Sequence, residues 1–193
     1  MMFRSSNKWM IILPGLLMIF LFVAGGLYVT ESDEVGHEEL KDHVQLDAAI
    51  ANDQLKAEWE WAALPEGELE GEDYIGIIAY ENGEVLPGYE FEENEIQLLQ
   101  GDEVIYEDEA MVVDEGLIFE FPNRIEMNEV YGPIGSVSVQ LPEKAEETEV
   151  HYLHTWLAHA GQGGEDPAFT DPPFPGMEDY DNFWWVVSET ASE

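Results

Sequence analysis

The chain has 193 residues, with 43 Asp or Glu against 6 Lys or Arg, a formal net charge of −37 and no cysteine. That length holds one domain of ordinary size plus an appendage, not two large domains. The charge speaks against nucleic acid and anionic lipid as partners and favours cations or basic protein surfaces. Without thiols there are no disulfides, no thiol catalysis, no lipidated cysteine anchor and no thiolate metal site.

The appendage is N-terminal. Residues 1–8 hold Arg4 and Lys8, and the 21 positions from Trp9 to Val29 carry no charge. A helix rising about 1.5 Å per residue crosses a hydrocarbon core of about 30 Å in that length. Basic residues before the run and Glu31, Asp33 and Glu34 after it place the N-terminus in the cytoplasm. The expectation is a transmembrane helix, or uncleaved signal anchor, over residues 9–29 in the cell membrane, with a short cytoplasmic tail at 1–8. A signal peptide cleaved near Ala24, Gly25 and Gly26 is the rival reading. Both send the rest of the chain outside the cytoplasm.

All 43 acidic residues follow Thr30, where only Lys41, Lys56, Arg124 and Lys144 oppose them. Self-repulsion of this size is screened as the Debye length falls from about 8 Å in physiological salt to about 3 Å in molar salt. The composition therefore suggests a halophilic or alkaliphilic setting, with an acidic outer-surface protein of an ordinary bacterium as the alternative.

Residues 30–54 are polar, with Leu40, Val44, Leu46 and Ile50 only partly at helical spacing, and read as an acidic stalk or linker. From residue 55 the pattern changes. In LKAEWEWA, Leu55, Ala57, Trp59 and Trp61 alternate with Lys56, Glu58 and Glu60, the period-two signature of a strand with one buried face. YIGIIAY follows at 74–80, ending at Asn82 and Gly83, which suit a tight hairpin turn. EIQLLQ runs into EVIYE across Gly101 and Asp102, and MVV into LIFEF across Asp114, Glu115 and Gly116. SVSVQL, TEVHYLHTWL and NFWWVVS complete the set, and residues 161–182, rich in Gly, Pro and Asp, form a long excursion before the last strand. Eight or nine short strands without a convincing helix between them predict an all-β, antiparallel β-sandwich of immunoglobulin-like size over residues 55–193.

Three of the five histidines fall at His151, His154 and His159. Helical spacing would group His151 and His154 for zinc or copper, whereas on a strand these two point to opposite faces. The all-β neighbourhood favours the strand and reduces the question to whether His154, aligned with Tyr152 and Trp156, faces the core. Calcium is the other cofactor candidate, through the carboxylates of EDPAFTD and MEDYDN, although neither has the ligand order of an EF-hand. In a strand, Trp184 and Trp185 point opposite ways, so one of them lines the surface or lies under the long excursion and is a candidate for ligand stacking. No nucleophile elbow, phosphate loop or zinc-protease motif occurs.

These features predict a membrane-anchored, strongly acidic extracytoplasmic module with a non-catalytic surface or interaction role. The alternative is a cation-handling accessory protein at the membrane, binding calcium or a transition metal. A third reading is a hydrolase acting on cell-wall or other glycans.

Overall fold

Alternation of more and less buried side chains runs along Val44–Ala51, Gln54–Trp61, Asn94–Gln100 and Ile134–Gln140, whereas Glu72–Glu81, Gly116–Pro122 and most of Glu147–Thr155 are buried on both faces. The structure, a computed structural model, describes residues 35–67, 69–156, 166–170 and 183–192. The chain divides into Met1–Glu34 and Val35–Glu193. The anchor expected over residues 9–29 lies outside the described residues, among which no helix is long and apolar enough to cross a membrane.

A short helix, α1 (His37–Leu40), leads through a 3-10 turn into β1 (Val44–Ala51) and β2 (Gln54–Trp61). β3 (Glu72–Glu81) turns into the short β4 (Glu84–Val85), followed by β5 (Asn94–Gln100), β6 (Glu103–Asp108), β7 (Met111–Val113) and β8 (Gly116–Pro122). A small ribbon, β9 (Ile125–Glu126) and β10 (Glu129–Val130), precedes β11 (Ile134–Gln140), β12 (Glu147–Thr155) and β13 (Trp184–Ser192). One sheet runs β1-β2-β11-β5-β6; the other runs β13-β12-β3-β8-β7, with β4 beside β3. Every ladder is antiparallel.

The two sheets face each other over one core. β2 contributes Leu55, Ala57, Trp59 and Trp61, and Val137 and Val139 of β11 lie beside them. Ile75, Ile77 and Ala79 of β3, Phe119 and Phe121 of β8 and Val150 and Tyr152 of β12 close the core from the other sheet. A β-sandwich is thus the architecture, with β1 and β13 alongside each other at one margin.

The linker expected over residues 30–54 needs correction over its second half. Val44–Ala51 is a strand paired along its whole length with β2, from Val44 opposite Trp61 to Ala51 opposite Gln54. Val44, Leu46, Ala48 and Ile50 pack against the core on alternate positions. Asn52 and Asp53, at φ 54° and 59°, make the two-residue turn that joins the strands. Positive φ at both central positions is the mirror-image turn whose twist matches a hairpin, and Asn and Asp tolerate it.

β3 is buried on both faces. On its outer side Tyr74, with Ile118 and Leu153 from the neighbouring strands, forms a second apolar cluster filled by Phe169. Phe169 arrives on a built turn. Asp166 accepts from Ala168 N at 2.9 Å through Oδ1 and from Thr170 Oγ1 at 2.9 Å through Oδ2. Gly76 lies under this turn, and a Cβ there would meet Pro167 O at 1.7 Å and Phe169 Cε2 at 2.8 Å. Phe169→Ala is expected to lower the unfolding free energy by about 3 kcal/mol, and Gly76→Ala by about as much, because it expels the same ring. In urea denaturation the double variant should lose much less than the sum of the two, since both remove one contact; full additivity would show that Phe169 does not depend on Gly76.

Candidate functional site at a buried aspartate–histidine couple

On β12, Val150 and Tyr152 enter the main core while Leu153 joins the outer cluster. His154 shares the parity of Tyr152 and is fully buried. The histidine is therefore an interior residue at one end of the sandwich, where β2, β8 and β12 finish and β3 and β13 begin. His151 has the opposite parity. Its Nδ1 is 2.7 Å from Ser188 Oγ on β13, and its Nε2 is 3.4 Å from Glu149 Oε2. Burial lowers the pKa of His151, against the opposing pull of Glu149.

The partner of His154 is Asp73, the second residue of β3 and also fully buried. An isolated carboxylate there would be expensive, so its lone pairs are met from four directions. Oδ2 accepts from Tyr152 OH at 2.7 Å. His154 Nδ1 donates to the carboxylate at 3.0 Å from Oδ2 and 3.1 Å from Oδ1. Oδ1 also accepts from Thr155 N and from Asn123 Nδ2, both at 3.0 Å. The second hydrogen of the Asn123 amide goes to Thr155 O at 3.0 Å. Trp61 Nε1 donates to Tyr152 OH at 3.0 Å, so the tyrosine passes a hydrogen bond on from β2 to β3. Burial, then the adjacent Asp73, raises the Tyr152 pKa well above the ordinary phenol value and keeps it a donor.

The other nitrogen of His154 faces outward to α1. His154 Nε2 is 3.2 Å from Nδ1 of His37. The ring centroids are 5.5 Å apart and the planes differ by 12°. That separation exceeds the nitrogen–nitrogen distance by about the two ring radii, so the imidazoles meet edge to edge and nearly in one plane. They do not stack. One hydrogen fits between two ring nitrogens so aligned. Trp156 lies roughly parallel to both rings, its centroid 5.4 Å from that of His37 and 5.5 Å from that of His154. Trp61 meets His154 edge-on at 5.1 Å, Trp185 lies tilted against His154 at 4.8 Å, and Trp185 Nε1 donates to His37 O at 2.8 Å.

No family model and no curated protein matches the chain. Three chains among solved structures are similar in outline. One of them is described as AvmM, which catalyses macrocyclization in alchivemycin A biosynthesis, and it aligns with a TM-score of 0.40 at 10% identity over 78% of this chain and 88% of that one. A likeness at that level carries no argument about this chain.

The sequence candidates are thus dispersed. His154 has both nitrogens hydrogen-bonded, His151 lies on the opposite face of the strand, and His159 lies outside the described residues. Among the described residues, no three His, Asp or Glu side chains are grouped to hold a metal ion. Trp185 turns inward to the His154 cluster, and Trp184 turns outward, half-buried beside the Phe169 cluster. Asp73, Asn123, Tyr152 and His37 were not singled out by the sequence. The available signal was the shared parity of Tyr152 and His154, which demands a buried polar partner from the adjacent strand.

Proposed function

We propose that the protein is a membrane-tethered, strongly acidic extracytoplasmic module that binds a cationic protein surface and performs no catalysis. One observation carries the reading. On the outer face of the first sheet, Asp47 and Glu58 stand directly opposite each other on β1 and β2. Like charges in that register are destabilising, and the exposed partners Lys56, 2.7 Å from Glu58, and Gln45, 2.7 Å from Asp47, offset only part of that cost. The two carboxylates border a shallow depression of about 290 Å³ that Gln45, Glu60, Leu99 and Ile134 complete above Trp59 and Gly135. Carboxylates at the rim with apolar side chains beside them match lysine or arginine, whose charged head and aliphatic stem need both. The uncharged run Trp9–Val29 and the acidic residues that follow it support the tether.

The test is calorimetric titration of the chain with a short Lys- and Arg-rich peptide, an uncharged peptide of the same length, calcium and zinc. Saturable binding of the cationic peptide alone, weakening steeply with salt, is the expected result. Binding of a divalent ion at unit stoichiometry with no response to the peptide would replace this reading with cation handling. That second reading has one observation in its favour. Glu72, Asp108, Glu109 and Glu120 line a cleft of about 380 Å³ together with Arg124. Burial, then the charge of Glu72, raises the Glu120 pKa, a strain that a bound cation would relieve.

A further inference from the structure

We propose that the His37–His154 hydrogen bond is an acid-released latch, which holds the segment Val35–His43 on the domain at neutral pH and lets it go on acidification. The segment is the lead-in to β1, and among the described residues it is held mainly at its two ends; at the far end His43 O accepts from Ala62 N at 2.8 Å. Val35 bridges to Pro65, and Glu66 N donates to Val35 O at 2.8 Å. Leu40 is fully buried. Between these two anchors the His37 ring and carbonyl make the polar contacts to His154 and Trp185. The ring contact depends on protonation for a geometric reason. The nitrogens point at each other along one line, so the pair accepts a single hydrogen, supplied by either ring. When both rings are protonated two N–H groups collide, and two positive charges stand 3.2 Å apart. His154 cannot retreat, because it is fixed by Asp73 and enclosed by Trp61, Trp156 and Trp185. His37, partly exposed on a four-residue helix, is the ring that leaves.

Among the described residues, the titratable groups packed against the pair are few. β3 presents Asp73 and β12 presents Tyr152; β2 and β13 contribute Trp61 and Trp185, which do not titrate, and Asn123 is neutral. Glu38 and Glu39 of the segment itself are exposed. Burial lowers the His37 pKa from 6.5 to about 4, the neighbouring His154 adds to the shift, and Asp73 opposes it. A histidine whose pKa is depressed on docking is docked in its neutral form. Docking is therefore complete above the free value of 6.5 and weakens as pH falls toward 4. Because the ring is partly exposed to solvent, the weakening is about ten- to hundredfold and not the full amount implied by the shift.

Hydrogen exchange on the full chain, read by mass spectrometry and corrected for the pH dependence of intrinsic exchange, tests the latch. The amides of Glu39 and Leu40, both bonded to Gly36 O, should lose about ten- to hundredfold protection between pH 7 and pH 4. Peptides from β3, β8 and β12 should keep theirs. In His37→Phe the acid step should vanish; if that ring seats badly, His37→Asn retains a hydrogen-bonding group and should also show no step. An unchanged wild-type segment, the same step in both variants, or loss of core protection at the same pH would each overturn the proposal.

Discussion

Asp73→Ala is expected to lower the unfolding free energy by about 3–5 kcal/mol. The carboxylate is fully buried and satisfies Tyr152 OH, His154 Nδ1, Thr155 N and Asn123 Nδ2. Its removal strands four donors without water, and each such group costs about 1–3 kcal/mol before relaxation. Asp73→Asn should lose less, since the amide oxygen still serves Thr155 N and Asn123 Nδ2 while the amide nitrogen opposes the remaining two donors. His154→Ala should be severe for a second reason. It opens a cavity among Trp61, Trp156 and Trp185 and leaves Asp73 without one of its three N–H donors. The double variant Asp73→Ala/His154→Ala should therefore fall well short of the sum of the singles, as groups in one network do. Chemical denaturation at pH 7 measures all four. A loss under about 1 kcal/mol for Asp73→Ala would mean that Asp73 is not bonded as described.

The second large effect is on salt. The melting temperature of the chain from residue 31 onward is expected to rise by on the order of 10 °C between dilute buffer and about 1 M NaCl. Within the described residues, the lysine and arginine ion pairs are those of Lys56 with Glu58, Arg124 with Glu126, and Lys144 with Glu81 and Glu90. All of these pairs are substantially exposed, and exposed pairs contribute at most about 1 kcal/mol each. The 43 carboxylates of the chain far outnumber these lysine and arginine partners, and even the paired Glu58 faces Asp47 across the register, so repulsion acts over short distances that molar salt screens. Calorimetric melting across a salt series measures the rise. A flat or falling melting temperature would remove the case for a halophilic or alkaliphilic adaptation.

Period-two alternation was readable wherever one face met the core. Leu55, Ala57, Trp59 and Trp61 on β2 and Val137 and Val139 on β11 are buried as their spacing requires. Asn82 and Gly83 turn at φ 52° and 79°, as their chemistry predicts. β1 escaped because Val44, Leu46 and Ile50 are only partly buried on an edge strand, and its turn is written Asn52–Asp53 where a glycine would have announced it. The buried couple was half visible. The parity of His154 with Tyr152 pointed inward, but Asp73 sits at the margin of an apolar run and read as part of the preceding loop. His37 lies 117 residues from its partner. Nothing local marks such a pair, because only the fold brings the lead-in segment over the end of β12.

The most direct test of the cationic-partner reading is site-specific removal of charge. The chain carrying Asp47→Asn and Glu58→Gln should bind a Lys- and Arg-rich peptide about tenfold more weakly than wild type in low-salt calorimetry. A control carrying Glu84→Gln and Glu115→Gln, both exposed and on strands or turns of the other sheet, loses the same net charge and should change affinity less than about twofold. Equal weakening in the two variants would contradict the account, reducing the attraction to a diffuse field without a recognition surface on the first sheet.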